Sequence, residues 1–113
     1  MPSVNVYEQY FAADAVFSGV QRRAVRVCLT ADSGAGHIRY TLSLSFFPHN
    51  DPEDFAVSYD ACFETVLFDA DGRRSAKREK AFLASLRAEA DALAAEAGGT
   101  VDWEQPLIPA RLS

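Results

Sequence analysis

The sequence predicts an α+β fold: an antiparallel β-meander of three to four strands, with one long C-terminal helix packed across one face. Three observations carry that expectation. From His37 to Phe47, Ile38, Tyr40, Leu42, Leu44 and Phe46 alternate with His37, Arg39, Thr41, Ser43 and Ser45. A period of two marks a strand with one buried face and one wet face. A second alternating run precedes it across a glycine-bearing loop too short for a parallel crossover, so the two pair antiparallel. The stretch from Ala76 to Ala97 is rich in Ala, Leu, Glu, Lys and Arg and has no Gly or Pro, the composition of an unbroken helix.

Residues 1–19 carry a mixed signal. Tyr7, Tyr10, Phe11, Asp14 and Ala15 have helical spacing, with Ser3 or Asn5 as caps, while Val4 and Val6 alternate as a strand would. The balance favours a short N-terminal helix. From Val20, the residues Val25, Val27 and Leu29 share one side and Ala24, Arg26, Cys28 and Thr30 the other. Residues Ala31 to Gly36 close this strand as a hairpin loop, since Gly34 and Gly36 admit positive φ. After the His37 to Phe47 strand, Pro48 to Pro52 is the strongest breaker in the chain.

A third strand follows, with Phe55, Val57, Tyr59, Ala61 and Phe63 on one face and Ala56, Ser58, Asp60, Cys62 and Glu64 on the other. Its parity blurs through Val66, Leu67 and Phe68, which a β-bulge or two-sided burial explains. Asp69-Ala70-Asp71-Gly72 reads as a turn, and Ser75 as the N-cap of the helix. Phe82, Leu83, Leu86, Ala90, Leu93, Ala94 and Ala97 form the apolar stripe, and Gly98-Gly99 ends the helix. A strand of about 11 residues and a helix of about 24 are both roughly 36 Å long, so one helix can cover the meander. Thr100 to Trp103 suggests a short fourth strand, and residues 104–113, with Pro106 and Pro109, an extended tail.

A length of 113 residues predicts one domain over 1–113. The formal charge of −5 disfavours direct binding to nucleic acid or to anionic membranes. No apolar run approaches the roughly 20 residues that span a bilayer, and Asn5, Glu8 and Gln9 interrupt anything like a secretory signal, so the expected location is the cytoplasm. Cys28 and Cys62 are too few for a disulfide scaffold or a zinc site. In a meander their strands stand two spacings, about 9.6 Å, apart. They read as reduced thiols.

Four places could carry chemistry or contacts. On the wet sheet face, Arg26, His37, Arg39, Asp60 and Glu64 are types that do acid-base work or hold an anion. A solvated sheet face also carries such residues simply as cross-strand pairs. His49, Asn50, Asp51, Glu53 and Asp54 resemble a hard-cation site in composition only, because the spacing matches no calcium loop. No nucleophile elbow, phosphate loop or zinc-protease motif occurs, so no catalytic residue, metal ligand or cofactor is assigned. Opposite the leucines, Ala81, Ala84, Ala88, Ala92 and Ala95 make a second stripe, edged by Lys77, Arg87 and Asp91. It would admit a close-packed helix from the N-terminal segment, a second copy or another protein, although alanine is also the best helix former. Trp103 is either a plug at the end of the sheet or an aromatic anchor for a partner.

A short helix, three antiparallel strands and a long helix in a small acidic chain resembles, in element order, part of a type III secretion chaperone or of small phage and immunity proteins. The expected function is a non-enzymatic protein-binding module of adaptor, chaperone or inhibitor type that binds a partner or itself. The alternatives are a small enzyme or ligand binder using the open sheet face, and an acidic inhibitor of a nucleic-acid enzyme.

Overall fold

The structure, a computed structural model, describes residues 3–48 and 61–107. In chain order the elements are β1 (Ser3–Phe17), β2 (Val20–Gly34), β3 (His37–Phe47), β4 (Ala61–Asp71), α1 (Ala76–Glu96) and β5 (Gly99–Leu107). The five strands form one antiparallel sheet in the order β4-β3-β2-β1-β5. The α+β class and the antiparallel pairing agree with the sequence, but there are five strands rather than three or four.

The N-terminal segment is a strand, not a helix. Tyr7, Phe11 and Ala15 are four apart, a spacing common to one face of a helix and one face of a strand, and all three pack on the main core. Tyr10, which completes the helical pattern, is instead buried in a second cluster with Ala24, Phe47 and Leu107. Two register shifts against β2, between Asn5 and Tyr7 and between Ala12 and Ala15, disturb the simple alternation that would have betrayed the strand. The element order behind the chaperone and immunity-protein resemblance therefore goes with the helix.

Both early hairpins turn on two residues. Ser18 and Gly19 have φ of 53° and 71°, and Ala35 and Gly36 have 54° and 77°. Positive φ at both central positions gives the turn whose twist matches paired strands. β2 thus runs on to Gly34, which pairs with His37, and the expected six-residue loop shrinks to Ala35-Gly36.

β4 follows the meander on the outer side of β3. Tyr40 pairs with Phe68 but Thr41 with Val66, so Leu67 is an extra residue, a bulge where the sequence parity blurs. The strand continues to Asp71, through what the sequence suggested was a turn. The breaker at 48–52, except Pro48, and the strand faces proposed for 55–60 lie outside the described residues.

Ser75 caps α1, its Oγ accepting from the Arg78 N–H at 3.2 Å. The helix leaves one sheet edge and delivers the chain to the other. Four strand spacings separate those edges by about 19 Å, which a helix of about 32 Å crosses on a diagonal. Leu86, Ala90, Leu93, Ala94 and Ala97 are buried beneath it and Phe82 partly so, whereas Leu83 remains 41% exposed. β5 then pairs with β1. Residues 104–107 of the expected tail belong to this strand, and 108–113 lie outside the described residues.

The core lies between α1 and one sheet face. Val25, Val27, Leu29, Ile38, Tyr40, Leu42, Leu44 and Phe46 are fully buried there. Gly99 marks a close approach of β5 to β1, because a side chain at that position would collide with the Ala15 Cβ and crowd the Asp14 carbonyl.

Candidate functional site

Two surfaces hold the candidate residues: the outer side of α1 and the sheet face turned away from it. On α1, Ala81, Ala84, Ala88, Ala92 and Ala95 are all exposed. At 100° per residue they fall in a strip about 80° wide that lies opposite Leu86, Ala90 and Leu93. From Ala81 to Ala95 no charged side chain falls within that strip. With residues 3–17 built into the sheet, the N-terminal segment is not its cover.

Trp103 sits apart from this strip, half-buried on the flank of the helix. Its ring meets Phe11 edge-on at 4.8 Å, its Nε1 donates to Asp91 at 2.9 Å, and the Arg87 guanidinium lies 5.4 Å from its ring centre. Arg87 and Asp91, expected at the edges of the alanine stripe, thus fasten α1 to β5.

The other end of the helix is tied down by Tyr40. Its hydroxyl donates to Glu79 Oε2 at 2.7 Å and accepts the Ser75 N–H at 3.2 Å, while Arg74 donates to both oxygens of Glu79. Arg74 holds the Glu79 carboxyl below its usual range despite burial. Burial, reinforced by Glu79, pushes the Tyr40 hydroxyl up.

On the open sheet face the candidates separate into pairs. Arg26 donates through Nε to Glu8 Oε2 at 2.5 Å. His37 and Arg39 are brought together by Asp69, whose carboxylate faces His37 Nε2 and accepts from Arg39 Nε at 3.2 Å. His37 Nδ1 lies 3.4 Å from Asp71. The Asp69 and Asp71 carboxylates raise the His37 pKa, and His37, with Arg39, lowers that of Asp69. Glu64 stands opposite Ser43, away from these groups, and Asp60 lies outside the described residues.

Sequence reasoning missed Glu8, Asp69 and Asp71. Counting parity from Phe63 assigns both aspartates to the helix side, and only the bulge at Leu67 returns them to the open face. Elsewhere on the same face, Cys28 is buried and shares Sγ contacts of 3.5 Å with Asn5 and Thr30, while Cys62 is exposed and accepts from Ser45 Oγ at 3.6 Å. Both thiols are free, with β3 between their strands.

A shallow depression of about 340 Å³ lies at the C-terminal end of α1, lined by Asp14, Ala15, Val16, Ala95, Gly98, Gly99 and Thr100. Only Ala95 was a sequence candidate. The depression is made by β5 folding back on β1, a pairing with no local signature. Among the described residues no group of three His, Cys, Asp or Glu is placed to hold a metal ion, and no helix is long and apolar enough to cross a membrane. The cation-like cluster at 49–54 is outside them. Compared with family models, curated proteins and solved structures, the chain matches none.

Proposed function

We propose that the chain is a non-enzymatic protein-binding module that receives a second chain, either another protein or its own copy, on the outer side of α1. Adaptor, chaperone and inhibitor roles all fit such a module. The observation that carries this reading is the exposed alanine strip from Ala81 to Ala95. A helix surface facing only water ordinarily holds more charge, and small side chains let a second helix approach closely.

Other features support the same reading. Arg26 and Arg39 on the open sheet face already hold carboxylates of their own chain, which leaves that face less suited to an anionic ligand. A net charge of −5 favours a partner other than nucleic acid. The exposed thiol of Cys62 and the separate thiol of Cys28 suit a reducing compartment such as the cytoplasm.

Light scattering and affinity capture with Ala88→Glu test the proposal. The substitution costs only a few tenths of a kcal/mol at an exposed helix position, so the fold persists. Self-association predicts a mass above the 12.4 kDa monomer that returns to it in the variant. Binding to another protein predicts a stoichiometric companion that the variant loses. A monomer with no Ala88-dependent companion would reject the module.

A further inference from the structure

We propose that His37 is a pH-sensitive latch: as an imidazolium it ties the end of β4 to the start of β3, and as a neutral imidazole it releases Asp71. Release loosens the point where the chain leaves the sheet for α1. His37 follows the Ala35-Gly36 turn directly and pairs with Asp71, the last residue of β4. Its two ring nitrogens face two different carboxylates, Asp69 at Nε2 and Asp71 at Nδ1. An ionised carboxylate only accepts, and a neutral imidazole has one N–H to donate. Both contacts therefore exist together only when both nitrogens carry protons.

The charges around the ring decide which contact is lost. On β4 they are Asp69 and Asp71; on β3 itself, Arg39, which also holds Asp69; and on β2, Asp32, opposite Arg39 in the register and bonded by Ser3 Oγ of β1. α1 packs on the other face of the sheet. Asp69 is held in place by Arg39, whereas Asp71 is fully exposed and 3.4 Å from Nδ1, so the single proton of the neutral ring stays with Asp69 and Asp71 goes free. One residue beyond Asp71, the Gly72 N–H donates to the Gly36 carbonyl at 2.7 Å, and three residues later Ser75 begins the cap of α1.

The titration runs in the matching sense. A histidine whose pKa is raised by folding adds stability that is complete below its unfolded value, about 6.5, and is lost as pH rises through the folded value. Asp69, held low, adds stability that is lost as pH falls through its depressed value. The latch is closed between these limits.

NMR titration of the imidazole tests this, with His37→Gln separating the signal from that of His49, alongside hydrogen exchange at the Gly72 amide relative to that of Leu42. His37 is expected to titrate above about 6.5, and Asp71→Asn to lower that value. Protection of Gly72 relative to Leu42 should fall roughly twofold to threefold as pH passes through the titration, and His37→Gln should remove that step. A His37 titrating at or below the free value, or a Gly72 amide indifferent to the titration, would overturn the latch.

Discussion

On β3, Ile38, Tyr40, Leu42, Leu44 and Phe46 face α1 and are fully buried, while His37, Arg39, Thr41 and Ser43, alternating with them, look away and keep contact with water. One backbone thus serves two surfaces governed by different forces. The helix side is held by burial, scaling with the apolar area removed from water. Much of the far side is held by Arg26 with Glu8, Arg39 and His37 with Asp69, and Ser3 with Asp32, contacts that salt and pH adjust. The larger buried core lies on the first face, and most of the ion pairs among the described residues lie on the second.

The largest expected effect is on the buried face. Leu42→Ala should lower unfolding free energy by about 2 to 5 kcal/mol, because a fully buried leucine leaves a cavity. Its neighbour Ser43→Ala should change stability by no more than about 0.5 kcal/mol. Urea denaturation of both variants measures the contrast, and equal losses would mean that the two faces do not differ as described.

The same pairing shows what could be read in advance. β3 and α1 were readable because each keeps one period from end to end, uninterrupted by bulges in its own chain. β1 was not, because Tyr7, Phe11 and Ala15 satisfy both periods and Tyr10 is buried on the opposite face. β5 was readable only as the short strand Thr100 to Trp103, because Pro106 argues against continuing it, although an edge strand tolerates it, and because its partner β1 lies about a whole chain away. At the candidate surfaces the alanine strip was visible as a helical pattern. The Asp69 and Asp71 partners of His37 were hidden by the single extra residue at Leu67.

A smaller effect, dependent on pH, lies on the helix side at the start of α1. Tyr40→Phe removes the hydroxyl that joins Ser75 to Glu79 and should cost about 1 to 2 kcal/mol. The Glu79 carboxyl is held low by Arg74, so its contribution is present above the unfolded carboxylate pKa and disappears as pH falls through the depressed value. Melting curves from pH 7 downward should show a shallower acid loss in Glu79→Gln than in the wild type. A parallel decline in the two would place the acid sensitivity elsewhere.

The smallest expected effect lies in the turn between β2 and β3, which belongs to neither face. Ala35 holds φ of 54°, a conformation that costs a side chain with a Cβ and that asparagine tolerates better. Ala35→Asn should stabilise the protein by about 0.5 to 1 kcal/mol, measured by urea denaturation. A loss instead would show that the turn makes contacts beyond its backbone shape.

Placing a photo-crosslinking residue at position 88 on α1, and in a second variant at position 64 on the open sheet face, asks directly which surface meets another chain. A discrete crosslinked species from position 88, absent from position 64, is the outcome that the exposed alanine strip predicts. Crosslinking from position 64 alone, or from neither, would contradict it.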